Sequence, residues 1–163
     1  MSDILKIFNL FIILALLISF KINAQEHNSQ AVIAENFSAM DIYGEEIVLS
    51  QQLAAKPVML YFWATWCPYC KKETPKLVTF NKNFAEKINV IGINVGVNDS
   101  VAKIHDYVRE FDVNFPIVYD ESQLISPAYG VNGTPVFVVI SQSQQILYRG
   151  HRFPAGIEQA LEN

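Results

Sequence analysis

Residues 61–73 read YFWATWCPYCKKE and hold the only two cysteines of the 163-residue chain. Cys67 and Cys70 are separated by two residues and follow directly on the apolar run 58–63. That run predicts a buried strand, whereas the residues from Lys71 onward have the apolar spacing of a helix. Cys67 is therefore predicted to lie where a strand passes into a helix.

This predicted position of Cys67 has a chemical consequence. Unpaired backbone N–H groups and the helix dipole stabilise negative charge at a helix N-terminus. A thiol placed there loses its proton more readily and becomes a nucleophile. Pro68 fits the first helical turn because its missing N–H would be unpaired there. Cys70, one turn farther on, is near enough to form a disulfide with Cys67.

The cysteine pair has two other interpretations. Zinc requires four ligands, and the three histidines, His27, His105 and His151, are scattered along a chain without a second C-x-x-C pair. A structural disulfide across so short a loop adds little stability. The pattern therefore favours redox chemistry and predicts no metal.

The motif at residues 63–73 resembles the active site of the thioredoxin superfamily, and more narrowly that of the extracytoplasmic TlpA/ResA-like thiol–disulfide oxidoreductases. Pro75 matches the proline that bends the active-site helix of the family, and residues 133–136 (GTPV) resemble its cis-proline loop. The resemblance covers residues 35–162. It implies an α/β, thioredoxin-like fold, in which helices flank a central mixed β-sheet, and an N-terminal β-hairpin is added to this core.

The resemblance also implies a catalytic cycle. Cys67 would attack a disulfide of a target protein, and Cys70 would then release the target by forming the Cys67–Cys70 disulfide. Thr134 and a cis-Pro135 would hold the target chain. The protein would thus be a protein thiol–disulfide oxidoreductase whose redox-active disulfide serves in place of a cofactor.

Three residues beside the cysteines are assigned to the active-site environment. Trp66 is expected to be an exposed aromatic residue that packs against target backbones. Pro68 and Tyr69 occupy the inter-cysteine positions through which the family tunes its redox potential. The same Cys-Pro-Tyr-Cys sequence occurs in glutaredoxins, but the flanking tryptophans and the N-terminal leader argue against that assignment.

Glu73 matches an acidic residue of the ResA-like pattern that lies near the cysteines. A partly buried carboxylate can exchange protons as Cys70 attacks or leaves; the alternative is an ordinary solvated helix residue. Thioredoxins instead place a buried aspartate six residues before the first cysteine. Tyr61 occupies that position here, which moves the acid–base role to Glu73 or to water.

The N-terminus has the layout of a signal peptide over residues 1–24, with a basic start, an apolar run at 7–20 and a small residue, Ala24, at the end. The run is shorter than the roughly 18 apolar residues of a spanning helix; an uncleaved membrane anchor is the alternative. We expect a flexible lead-in over 25–34, a single domain over 35–163, and a periplasmic location in which disulfide chemistry is used.

The rest of the chain alternates between strand and helix patterns. Ser50 is expected to cap a short helical turn through Leu53, and His105 and Tyr107 show no signal beyond that of the helix in which they are predicted to lie. The predicted strands are 36–40, 46–49, 89–95, 115–120, 136–140 and 145–149, and the predicted helices are 71–83, 101–111, 123–129 and 155–161.

The net charge of −4 argues against a nucleic-acid partner. The resemblance favours a monomer that reduces disulfides of exported cysteine-containing proteins, with apocytochrome c as one example, and that receives electrons from a DsbD/CcdA-type membrane carrier. The alternatives are a DsbA-like oxidant, a disulfide isomerase, and a copper-binding module with soft cysteine ligands. A peroxidase is excluded because Leu60 replaces the proline of the P-x₃-T-x₂-C pattern.

Overall fold

The computed structural model describes residues 31–162 of the chain. Strands and helices alternate along these residues, in the order β1 Ser38–Met40, β2 Glu46–Val48, α1 Leu49–Ala55, β3 Val58–Trp63, α2 Pro68–Phe84, β4 Asn89–Asn94, α3 Val101–Glu110, β5 Ile117–Tyr119, α4 Ile125–Ala128, β6 Val136–Ile140, β7 Ile146–Gly150 and α5 Ile157–Glu162. The predicted signal peptide lies outside the described residues. Within residues 31–162, no helix is both long and apolar enough to cross a membrane.

Five strands form the central sheet in the order β5-β4-β3-β6-β7. β3 is parallel to β4 and antiparallel to β6, so the sheet is mixed. Every residue of β3 is buried, because this strand has neighbours on both sides and covered faces above and below. The helix α2 connects the parallel strands β3 and β4. The predicted fold class is thus confirmed.

The predicted N-terminal hairpin is present as β1 and β2, which pair antiparallel. Gly44, with a φ of 91°, allows the tight turn between them. The Asp41 carboxylate accepts hydrogen bonds from the backbone N–H groups of Tyr43 and Glu45, at 2.8 and 2.9 Å. Ile42 N then donates to Ile117 O at 2.9 Å and joins the hairpin to β5.

The structure corrects the prediction for Ser50. A cap at Ser50 would start the helix at residue 51, but α1 begins two residues earlier, at Leu49. Its N-cap residue is Val48, whose side chain makes no capping hydrogen bond. Instead the side chain of Asn36 accepts a hydrogen bond from Ser50 N at 2.9 Å. A residue 14 positions away thus satisfies the helix end that Ser50 was expected to cap.

The last four residues of the predicted flexible lead-in, 31–34, are held by hydrogen bonds, unlike the prediction. Residues 31–34 run along β7 rather than leading freely into the domain. Ile146 N donates to Val32 O and Ala34 N donates to Gln144 O, both at 2.8 Å, and Ala34 is buried. Edge strands have unpaired backbone groups that can accept such a neighbour.

The fourth helix, α4, is shorter than predicted because a side chain replaces its first turn. Asp120 is buried and its carboxylate accepts hydrogen bonds from the N–H groups of Leu124, Ile125 and Ser126, at 3.0, 3.1 and 2.7 Å. It also accepts one from the Ser126 hydroxyl at 2.7 Å. The carboxylate thereby takes up N–H groups that would otherwise be unpaired at the helix end.

Candidate active site

The two cysteines lie at the start of α2. Cys67 is the N-cap residue, with extended backbone angles, and Pro68 occupies the first helical turn. Cys67 and Cys70 form a disulfide, and their Cα atoms are 5.2 Å apart. Cys70 N donates to Cys67 Sγ at 3.1 Å. The sulfur of Cys67 therefore accepts from an N–H group at the helix N-terminus, where negative charge is stabilised.

The disulfide itself is covered, while two aromatic side chains beside it are exposed. Cys67 is 2% exposed and Cys70 is fully buried. In contrast, Trp66 is 51% exposed and Tyr69 is 68% exposed. Trp66 Nε1 donates to Val97 O at 2.7 Å, which orients the ring next to Cys67. The expected exposure of Trp66 is confirmed; its contact with targets stays a prediction.

The loop before Cys67 is fixed by Asp99, a contact that the sequence analysis missed. Asp99 accepts hydrogen bonds from Thr65 N at 2.8 Å and from Thr65 Oγ1 at 2.5 Å. Asn94, at the end of β4, donates its side-chain N–H to the same carboxylate at 2.7 Å. One carboxylate thus connects the ends of the two central parallel strands. In the sequence, Asp99 is only one of the polar residues that precede the predicted helix 101–111.

Thr134 and Pro135 lie against the disulfide. Their peptide bond is cis, as predicted, and Thr134 O is 3.5 Å from Cys67 Sγ. His151, which the sequence analysis left without a role, places Nδ1 at 2.8 Å from Pro135 O. Because a carbonyl oxygen only accepts hydrogen bonds, Nδ1 must be the donor. His151 therefore supports the proline loop from the β7 side.

Two cavities flank Thr134, and they differ in chemistry. One, of about 250 Å³, lies beside Trp66 and is lined mainly by apolar and small residues, including Val97, Pro127 and Val131. The other, of about 560 Å³, is lined by residues of both charges and by aromatic rings: Tyr69, Glu73, Lys76, Pro135, His151, Arg152 and Phe153. These two cavities, which share Thr134, are here together called the groove around Thr134. Of the other sequence-predicted site residues, Trp66, Tyr69, Glu73 and Pro135 line it.

Glu73 lies in the second of these cavities. Its Oε1 pairs with Lys76 Nζ at 2.9 Å, and the Glu73 side chain is 20% exposed. The other oxygen, Oε2, is buried and has no hydrogen-bond partner among the described residues. The carboxylate is therefore partly buried, as predicted. Whether it exchanges protons with a cysteine stays a prediction.

Beneath Cys70, the hydroxyl groups of Tyr61, Thr74 and Tyr107 form a connected cluster. Both Tyr61 and Thr74 reach the carbonyl oxygen of Cys70. The sequence shows no signal for Tyr107 beyond its helix pattern, but in the structure its side chain is buried and bonds to Thr74. A helical spacing of three residues from the buried Ile104 was the signal that places Tyr107 on the inner face of α3.

Comparison with known proteins agrees with this site. The model of the AhpC/TSA family matches residues 31–149. The thiol–disulfide oxidoreductase ResA of Bacillus subtilis is 34% identical over 124 residues, which cover 76% of this chain and 68% of that protein. ResA of Halalkalibacterium halodurans is 31% identical over 115 residues, which cover 70% and 64% of the two chains. The alignments thus span about two thirds of these relatives.

A solved structure shows the same fold. The secreted disulfide oxidoreductase of Mycobacterium tuberculosis that is homologous to Escherichia coli DsbE superposes with a TM-score of 0.64 at 24% identity, over 73% of this chain and 84% of that chain. At that identity the likeness concerns the fold alone. With the sequence matches and the Cys67–Cys70 pair at the helix N-terminus, the chain belongs to the AhpC/TSA family and is a ResA-like thiol–disulfide oxidoreductase of thioredoxin fold.

Proposed function

We propose that this protein reduces disulfides of exported proteins through a dithiol–disulfide cycle of Cys67 and Cys70. The observation that carries the proposal is the sulfur of Cys67 at the N-terminus of α2, at 3.1 Å from the Cys70 N–H group. This N–H stabilises the thiolate that attacks a disulfide. Relatives named thiol–disulfide oxidoreductase ResA support the same reaction type.

The electrons balance in two exchange steps. The Cys67 thiolate attacks one sulfur of the target disulfide, forms a mixed disulfide, and releases the other target sulfur as a thiolate. Cys70, as a thiolate, then attacks Cys67 and releases the second target sulfur. Two electrons pass to the target, and the Cys67–Cys70 disulfide remains. A membrane carrier of the DsbD/CcdA type would restore the dithiol for the next cycle.

The groove around Thr134 is the proposed binding site for the target chain. Thr134 and Pro135 would contact its backbone beside Cys67, while the exposed ring of Trp66 would cover it from the other side. Because Cys70 is fully buried, it can reach only a sulfur already bonded to Cys67. This arrangement fits an attacking role for Cys67 and a resolving role for Cys70.

Glu73 is the proposed proton-exchange group for Cys70. Its Oε2 atom is buried without a partner among the described residues, and Glu73 lines a cavity that also borders Thr134 and Pro135. A carboxylate oxygen in this state can take up a proton when a neighbouring thiol gives one away. The hydrogen bond to Lys76 holds the other oxygen at the rim of the cavity.

An extracytoplasmic location, in the periplasm, is part of the same proposal. It is supported by the leader-like residues 1–24 and by the secreted Mycobacterium tuberculosis oxidoreductase of the same fold. In such a compartment a reductant acts on proteins whose cysteines have been oxidised. Apocytochrome c is one candidate target.

The experiment that tests the proposal is the equilibrium reduction potential of the Cys67–Cys70 couple in defined thiol buffers. A value near about −270 mV, as in thioredoxin, is expected for a reductant. A value near about −120 mV, as in DsbA, would overturn the reducing direction and make the protein an oxidant of exported chains. In parallel, Cys70→Ser should trap targets as mixed disulfides on Cys67, whereas Cys67→Ser should trap none.

A further inference from the structure

The proposed cycle makes no use of the buried hydroxyl groups under the disulfide. Tyr61, Thr74 and Tyr107, here called the hydroxyl chain, are exposed by 1%, 1% and 3%. Tyr61 OH is 3.2 Å from Cys70 O and also 3.2 Å from Thr74 Oγ1. Thr74 Oγ1 is 2.9 Å from Cys70 O, and Tyr107 OH is 2.8 Å from Thr74 Oγ1. All four contacts are within hydrogen-bond distance.

The direction of these hydrogen bonds follows from counting protons. A carbonyl oxygen cannot donate, so Thr74 must donate its only hydroxyl proton to Cys70 O. Tyr107 must then be the donor to Thr74. Tyr61 OH also donates to Cys70 O, and Thr74 Oγ1 lies at the same distance from this hydroxyl. Two O–H groups therefore converge on the carbonyl of Cys70, and the third, from Tyr107, donates to Thr74 and polarises its hydroxyl.

The hydroxyl chain supplies no ionised base near pH 7. Burial raises the pKa of Tyr107 to about 12, although the hydrogen bond with Thr74 opposes part of the rise. Burial likewise raises the pKa of Tyr61 far above its usual value; the hydrogen bond with Thr74 opposes part of this rise, and the nearby acidic groups of Tyr107 and Glu73 add to it. Both phenols therefore stay neutral near pH 7. Tyr61 consequently cannot act as the base that a buried aspartate provides at this position in thioredoxins.

The hydroxyl chain instead holds the backbone of Cys70. The hydroxyl groups of Tyr61 and Thr74 bond to the Cys70 C=O, while the Cys70 N–H donates to Cys67 Sγ at 3.1 Å. We propose that Tyr61 and Thr74 are positioning residues, which keep the Cys70 N–H directed at the Cys67 sulfur and thereby stabilise the Cys67 thiolate once the disulfide is open. The inference rests on the proposed dithiol chemistry of Cys67 and Cys70 and names the groups that tune it.

Loss of these hydroxyl groups should raise the pH at which Cys67 ionises and lower the reduction potential of the Cys67–Cys70 pair. A less well-directed N–H stabilises the Cys67 thiolate less, so the midpoint of its titration moves to higher pH. We expect a rise of about half a pH unit, equal to about threefold in the ionisation constant. Because the reduced form loses stabilisation, the disulfide is favoured by a similar factor, which corresponds to about 14 mV toward a more reducing potential.

The test uses the full chain with single substitutions. Tyr61→Phe and Thr74→Val remove one donor each, and Thr74→Ser keeps the donor as a rescue. Tyr129→Phe is the matched control, because this buried tyrosine donates its hydroxyl to Glu35 O, in a contact that includes neither cysteine. The measurements are the pH dependence of Cys67 alkylation by iodoacetamide, located by mass spectrometry, and the equilibrium with dithiothreitol.

We expect Tyr61→Phe and Thr74→Val to shift both readouts, and Thr74→Ser and Tyr129→Phe to match the wild type. If Tyr61→Phe and Thr74→Val only lower the melting temperature while the alkylation midpoint stays unchanged, the hydroxyl chain has only a structural role and the inference is wrong. Should Thr74→Val fail to fold, Tyr61→Phe decides, since it keeps the ring in place. Neither readout involves a target protein, so both remain valid even if the proposed reduction of exported proteins fails.

Discussion

Asp99 lies outside the cysteine motif, yet it holds the loop that leads into it. Its carboxylate accepts two hydrogen bonds from Thr65 and one from Asn94. We expect Asp99→Ala to lower the free energy of unfolding by about 2 kcal/mol, because it leaves partly buried donors unsatisfied. Hydrogen exchange at Thr65 N should become faster, since its protecting acceptor is lost.

Asp106 provides the control for this prediction. Its carboxylate pairs with Arg109 on the surface of α3, and both side chains are more than 70% exposed. Asp106→Ala should therefore cost less than about 0.5 kcal/mol in denaturant unfolding. Equal costs for the two variants would show that the hydrogen bonds of Asp99 contribute no more than a surface ion pair.

Glu73 allows a prediction about proton transfer. Glu73→Gln keeps the shape of the side chain but cannot take up a proton, so the proposed exchange with Cys70 should be lost. We expect the resolution of a mixed disulfide by Cys70 to slow by at least about tenfold, with a changed pH profile. Stopped-flow release of a labelled peptide from Cys67 measures this rate.

Lys76→Gln is the matched control for Glu73→Gln. It removes the ion pair at 2.9 Å but leaves the carboxylate in place. Release should then keep a pH-dependent step. If both variants resolve the mixed disulfide at the wild-type rate and with the wild-type pH profile, Glu73 is only a helix residue paired with Lys76, and its proposed role is excluded.

At the scale of elements, the short helix α4 depends on a single side chain. Asp120 accepts four hydrogen bonds from residues 124–126, and Ser126 and Pro127 of this helix line the cavity beside Trp66. We expect Asp120→Ala to destabilise the protein by about 3 kcal/mol, because several buried donors lose their acceptor. Denaturant unfolding measures the loss.

The neighbouring Glu121 is exposed and serves as the control substitution. Glu121→Ala should leave stability within about 0.5 kcal/mol of the wild type. If Asp120→Ala is equally mild, water has replaced the carboxylate and α4 does not depend on it. Trp66 emission recorded on the same samples reports whether the adjoining cavity has changed.

Elements with a strong local pattern could be predicted from the sequence. The buried run of β3, the start of α2 at Pro68 and the β6–β7 hairpin each follow from adjacent residues. Contacts between distant residues could not be predicted. The side chain of Asn36 bonds to Ser50 N, 14 residues away. Residues 32–34 pair with the start of β7 through backbone groups, which are the same in almost every residue type and so give no sequence signal.

The active site shows the same division. The cysteines and the proline loop could be identified from short motifs, whereas the hydroxyl chain joins Tyr61, Thr74 and Tyr107 from three different elements. From the sequence, a tyrosine on the inner face of a helix is predicted only to be a core residue, because its ring is apolar. The partner of its hydroxyl group depends on tertiary packing. The sequence alone therefore gave no reason to bring these three residues together.

At the scale of the whole molecule, buried tyrosines predict a loss of stability in alkali. Burial raises the pKa of Tyr107 to about 12, and it raises those of Tyr61 and Tyr129 further. Above about pH 10 the unfolded chain loses phenol protons that the folded protein retains, so unfolding becomes more favourable. Stability should be unaffected by these groups below pH 10 and should fall from pH 10 through pH 12.

Denaturant unfolding at pH 8, 10, 11 and 12 tests this prediction. Tyr107→Phe should flatten the part of the decline between pH 10 and 12, since it removes one of the titrating phenols. Tyr43→Phe is the control, because Tyr43 is 65% exposed. A decline of unchanged slope in Tyr107→Phe would mean that other groups cause the alkaline unfolding.

The two tryptophans, one 1% and the other 51% exposed, give the protein an optical signal of its own. A disulfide quenches a neighbouring indole by accepting an electron from its excited state, so opening the Cys67–Cys70 bond should brighten Trp66. We expect the Trp66 emission at longer wavelengths, because this ring is half exposed to water, and the emission of the buried Trp63 at shorter wavelengths. A single unlabelled sample should therefore report reduction of the disulfide through Trp66 at longer wavelengths and unfolding through Trp63 at shorter wavelengths.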